Sequence, residues 1–160
     1  MRAPFGPPPF QYRAPPGWSA QLVADRDEVI DWRAPAGAEP AAILLLPPLP
    51  AAGPLDEQLR SLLPEWTADA EVLETSDVHE LAGTALPAKM IAVRLRVTRT
   101  TPPRDERRIF VLLSAATLAL PLVLPVALIG GPRALVAHEQ AFHGLLCSID
   151  VSPPPPFVVD

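Results

Sequence analysis

Three observations predict an α+β fold for this 160-residue chain. Ile91, Val93, Leu95 and Val97 alternate with Ala92, Arg94, Arg96 and Thr98, the period of a half-buried strand. Residues 54–63 and 132–149 instead repeat their apolar side chains at helical spacing. Between positions 10 and 151 the prolines fall between apolar segments, as turn chemistry places them. Strands, a helix, more strands and a terminal helix make an α+β order.

The elements follow in turn. Phe10 to Arg13 reads as a short strand running into a Pro15-Pro16-Gly17-Trp18 corner. Ala20–Val23 and Val29–Arg33 form a hairpin around Asp25-Arg26-Asp27, and Ala41–Leu46, apolar on both faces, suits a buried strand. The first helix spans Pro54–Leu63: Leu55, Leu59, Leu62 and Leu63 share a face, Pro54 suits the first helical position, and Asp56 and Glu57 complement the helix dipole. Pro64 ends or kinks it, with Trp66 still on the apolar side. Glu71–Val78 is a strand, followed by the alternating one. Thr100 to Asp105, with two prolines, is a turn into Arg107–Leu113, which returns antiparallel. Thr117–Leu120 gives a last short strand, Pro121 to Gly131 reads as an apolar loop, and a single helix spans Pro132–Ile149. Leu135, His138, Phe142, Leu145, Leu146 and Ile149 share the face of that helix directed at the sheet.

From Ile109 to Gly131 the chain carries no charge for twenty-three residues. That is long enough for a membrane span, which needs about twenty. Pro121 and Pro125, four apart, each remove a helix hydrogen bond, so the expectation is buried or surface structure and a protein that needs no detergent. With 49% hydrophobic and 19% charged residues the composition is globular. A net charge of −5 leaves no basic stripe for nucleic acid. Cys147, the single cysteine, excludes an internal disulfide framework. The first ten residues lack the apolar stretch of a secretory signal, and a cytoplasmic location is expected. Proline-rich tails at 1–9 and 152–160 bracket one domain at 10–151.

Candidate chemistry is sparse. His138, in the apolar arc of the last helix, is expected to be a packed core histidine rather than a base or ligand. Glu139, His143 and Cys147 are successive i, i+4 neighbours, but no second cluster adds ligands, so no metal, cofactor or catalytic nucleophile is expected. Asp25, Asp27, Glu28 and Asp31 lack the glycine and spacing of a calcium loop. Arg94 and Arg96 share a strand face near Arg107 and Arg108 and could read an acidic partner; Asp105 and Glu106 are placed to neutralise them. Gly130-Gly131-Pro132 lacks the lysine and serine of a phosphate loop. The surface expected to bind is the apolar loop, through Leu118, Leu120, Leu122, Leu124, Val126 and Leu128, covered by another polypeptide or by a second copy of the chain in a homodimer.

The opening Phe10-Gln11-Tyr12-Arg13-Ala14-Pro15-Pro16-Gly17-Trp18 resembles that of PsbP-like, DcrB-type domains. So do the glycine entry Leu81-Ala82-Gly83-Thr84-Ala85 into a long hairpin and the helix end Phe142-His143-Gly144-Leu145-Leu146-Cys147-Ser148-Ile149. The resemblance covers residues 10–150. It implies an α/β/α sandwich, a twisted and mostly antiparallel sheet with helices on its faces, and a binding or assembly protein rather than an enzyme. Members without a signal include the effector-associated (Eag-type) chaperones of type VI secretion, which shield apolar segments of effectors. A chaperone for such a segment is therefore the expected function, with a small-molecule or lipid-binding domain as the alternative and a hydrolase or metalloenzyme as a third reading.

Overall fold

A computed structural model describes residues 10–23, 26–116 and 118–151. The expected tails at 1–9 and 152–160 lie outside the described residues, as does Asp25 in the first turn. In chain order the elements are β1 (Phe10–Gln11), β2 (Ser19–Val23), β3 (Arg26–Arg33), β4 (Ala41–Leu45), β5 (Leu49–Pro50), α1 (Leu55–Trp66), β6 (Glu71–Thr75), β7 (His79–Glu80), β8 (Ala88–Val97), β9 (Arg104–Ala115), β10 (Leu122–Gly130), α2 (Ala134–Ala137), α3 (Glu139–Ser148) and β11 (Asp150–Val151). The main sheet runs β2-β3-β4-β10-β9-β8-β6, with β5 beside β10 and β7 beside β8. Each of these pairings is antiparallel. A separate ribbon pairs β1 with β11, and the Arg13 amide donates to Ser148 Oγ at 2.9 Å, tying the first strand to the end of α3.

Alternation sends the two sides of each strand to different layers. Ile91, Val93, Leu95, Phe110, Leu112, Val123 and Ala127 pack beneath α1 through Leu59, Leu62, Leu63 and Trp66, and Trp66 stacks on Phe110 with ring centroids 5.1 Å apart. On the other side Ile30, Trp32, Ile43, Leu45, Val111, Leu113, Leu124, Val126 and Leu128 meet Phe142, Leu145, Leu146 and Ile149 at the end of the chain. The result is the α/β/α sandwich. Tyr12 stands edge-on to Trp32 in the second layer, and burial of its hydroxyl, which has no hydrogen-bond partner among the described residues, pushes its pKa up to about 12. Replacing Val93 by aspartate should cost several kcal/mol, the penalty of an unpaired charge in a core. Arg94→Ala, at an exposed position, should stay within about 1 kcal/mol; equal melting temperatures for the two variants would refute the strand's facing.

Three expectations are corrected. Pro121 to Gly131 is not a loop, because β10 lies between β4 and β9 in the middle of the sheet. Proline is normally barred from a central strand because it cannot donate to the ladder. Here the carbonyl of Pro125 accepts from the Leu46 amide at 3.0 Å, so its nitrogen faces the same neighbour. The one ladder bond forfeited is the reciprocal bond from position 125 to the Leu46 carbonyl, at the point where that neighbour breaks off before Pro47-Pro48, between β4 and β5. Residues 118–121 are a turn rather than a strand; Thr117 lies outside the described residues. The terminal helix divides at His138 into α2 and α3, where His138 Nε2 hydrogen-bonds the Glu39 carbonyl and the ring stands edge-on to Trp18.

Candidate functional site

The C-terminal helices cover β3, β4 and β10 but leave the same face of β8 and β9 partly open. Met90 and Ile109 project from that face, Leu128 from the neighbouring strand, and Leu135, Phe142 and Leu146 descend from α2 and α3; with Leu81 they enclose an open cleft of about 590 Å³. Hairpin register builds the floor: Met90 lies opposite Val111, and Ala92 opposite Ile109. Val136, 81% exposed, stands on the rim with Glu139, Gln140 and His143.

One rung further along the same face, Arg94 lies opposite Arg107, and beyond them Arg96 faces Asp105. On the other side of β8, Glu74 lies opposite Arg94 and Glu71 opposite Arg96. The expected neutralisation by Glu106 reaches Arg108 but not Arg94, Arg96 or Arg107. Odd-numbered residues of β9 face the C-terminal helices while Glu106 turns to the α1 side, where it accepts from Arg108 Nε at 2.9 Å and Arg104 Nη2 at 3.2 Å. Among the described residues Asp105 joins no ion pair, and Nη1 of Arg107 is buried without a hydrogen-bond partner.

Arg108 serves the opposite layer. Its guanidinium donates to both carboxylate oxygens of Asp69, at 2.9 and 2.8 Å, and to the Trp66 carbonyl at the C-terminus of α1, at 3.0 Å. Hydrogen bonding and the positive charge of Arg108 hold the Asp69 carboxyl below its ordinary value, against a smaller opposing effect of burial. Burial of Arg108 works against its charge, but Asp69 and Glu106 outweigh it and raise its pKa.

The remaining candidates separate. Leu124 and Val126 are core residues on β10 and not open to a partner, while Leu128, equally buried, backs the cleft. Leu118 and Leu122 are half-buried, and Leu120 alone of the six is well exposed, at 79%. His138 is buried and bonded to backbone. Cys147 Sγ lies 3.6 and 3.5 Å from the two ring nitrogens of His143, nearly equidistant, so neither nitrogen is aimed at it for proton transfer; His143 Nε2 also lies 3.2 Å from the Ala82 carbonyl. Asp31 is held by Arg33 at 2.7 Å, while Asp25 lies outside the described residues. Among the described residues no three His, Cys, Asp or Glu side chains group as metal ligands, and no helix is long and apolar enough to cross a membrane. Gly130 allows close packing: a Cβ there would run into the Ala134 methyl and approach the Pro40 carbonyl to 3.2 Å.

Sequence reasoning missed the cleft. Met90 and Ile109 are nineteen positions apart, brought close by the hairpin, and the only local signal was that Met90 falls on the polar parity of the alternating strand.

The fold has a counterpart among solved structures. LpqN of Mycobacterium tuberculosis, described as involved in cell envelope biogenesis, superposes with a TM-score of 0.66 over 92% of this chain and 86% of its own, at 11% sequence identity. That likeness shows a shared fold. No protein-family model matches the chain, and no curated protein matches its sequence.

Proposed function

We propose that the chain is a non-catalytic binding protein and that the cleft beneath its C-terminal helices takes a small apolar or amphiphilic molecule. The observation that carries this reading is the open volume of about 590 Å³ walled by Leu81, Met90, Ile109, Leu135, Phe142 and Leu146. Small-molecule pockets range over roughly 300–1,000 Å³ and are mostly apolar with a few polar groups at the edge. An apolar wall left to water gains by burial, at about 25 cal/mol for each Å² covered. The polar side chains, Glu139, Gln140 and His143, stand at the rim, and among the described residues no nucleophile with an aligned base faces the floor.

A chaperone role keeps less support. The surface expected to hold an effector segment is strand β10, whose Leu124, Val126 and Leu128 already fill the core, so a client helix would have to enter this same cleft. Titration with decanol tests the proposal. Decanol should bind saturably, one molecule per chain, and Met90→Trp, which fills the floor from a half-buried position, should abolish binding while the melting temperature is retained. No binding of decanol by the wild-type chain would overturn the proposal. Binding of an apolar helical peptide instead, blocked by Met90→Trp, would replace it with the chaperone reading.

A further inference from the structure

We propose that the cleft ends in an anion subsite formed by Arg94 and Arg107, so that its ligand is an apolar chain tipped by a carboxylate or similar anionic group; this rests on the reading of the cleft given above. The arginines of the β8–β9 hairpin and its turn divide by face. On the α1 side Arg104 and Arg108 are paired with Glu106, and Arg99, at the turn, lies 3.8 Å from Asp69. On the cleft side Arg94 and Arg107 stand directly opposite each other with no ion pair among the described residues, and Nη1 of Arg107 is buried without an acceptor. Like charges placed opposite one another across a ladder repel, and a buried donor without a partner is costly. An anion between the two guanidinium groups relieves both.

The position fits the cleft. A hollow of about 290 Å³ lies at these residues, lined by Glu74, Ser76, Ala92, Arg94, Arg107 and Leu135, and Leu135 also walls the apolar cleft. Two residues along a strand advance roughly 7 Å, so the arginine rung adjoins the Ala92–Ile109 rung on the same face. A methylene chain lying over Met90 and Ile109 therefore points its end at the guanidinium groups, whose planar fork suits a carboxylate. Glu74 is the one carboxylate in the lining, leaving two positive groups to one negative in a chain whose net charge is −5.

Decanoate and decanol, alike in chain and different in charge, provide the test. Decanoate should bind the wild-type chain on the order of tenfold more tightly than decanol, with an advantage that shrinks as salt is raised. The Arg94→Gln/Arg107→Gln double variant should bring decanoate to the affinity of decanol and leave decanol unchanged. Arg94→Gln alone, at an exposed position, should remove part of the advantage and secures the test if the double variant fails to fold. Equal affinities in the wild-type chain, or an advantage for decanoate that survives both substitutions, overturn the anion subsite and leave the apolar cleft standing. Binding of neither compound overturns the cleft as well.

Discussion

Replacing Leu124 by glutamate should abolish cooperative folding, whereas Leu120→Glu should leave it unchanged. Leu124 is fully buried on β10, under the C-terminal helices, and a carboxylate there has no partner to offset the loss of its hydration. An unpaired buried charge costs several kcal/mol, against a total stability of roughly 5–15 kcal/mol for a domain. Leu120, four residues earlier in the same apolar run, is 79% exposed, and surface changes of this kind stay within about 0.5 kcal/mol. Circular dichroism melts decide the matter. A folded Leu124→Glu variant would return the segment to the surface and restore the binding role expected for it.

The second large effect is at Arg108. Arg108→Met removes the buried one of the two arginines that hold Glu106, with both side chains of the pair only 7% exposed, leaves Glu106 to the more exposed Arg104, and detaches the C-terminus of α1 from β9. Breaking a buried pair by removing one member costs about 3–5 kcal/mol. Adding Glu106→Gln should recover part of the loss, because the stranded charge is then gone; denaturant unfolding of the single and double variants measures the coupling, and additive losses would refute the pairing. Asp69, the third member, adds a dependence on pH. Its carboxyl is held below 3.8 in the folded state, so its stabilising effect is present above that value and is lost as pH falls through the lower folded-state value. The advantage of the wild-type chain over Asp69→Asn should thus be full near neutrality and vanish in acid, and small throughout, since the Asp69 side chain is 36% exposed and solvent screens it.

Much of the sandwich was legible in the sequence. The alternation from Ile91 to Val97 placed one strand and its buried face, and the leucine spacing after Pro54 placed α1. The antiparallel return of Arg104–Ala115 against Ala88–Val97 followed from a proline-containing turn between two apolar runs, though its register did not. What failed did so for nonlocal reasons. Pro125 reads as a strand breaker unless the interruption of its neighbour at Pro47-Pro48 is known, and that neighbour lies about eighty positions away. The division of the last helix at His138 depends on the Glu39 carbonyl, equally remote. For the binding site the residue types are visible in the sequence but their company is not: Arg94 and Arg107 stand near Glu106 in the hairpin, and only strand parity shows that Glu106 faces the other layer.

The space between β8, β9 and the C-terminal helices is proposed to hold an apolar ligand. Methyl chemical-shift mapping during a decanol titration tests it most directly. Saturating shifts are expected at Met90, Ile109, Leu135 and Leu146, and none at Leu59, Val93 or Leu112 on the α1 side of the sheet; shifts on the α1 side, or no shifts at all, would refute a ligand in this cleft.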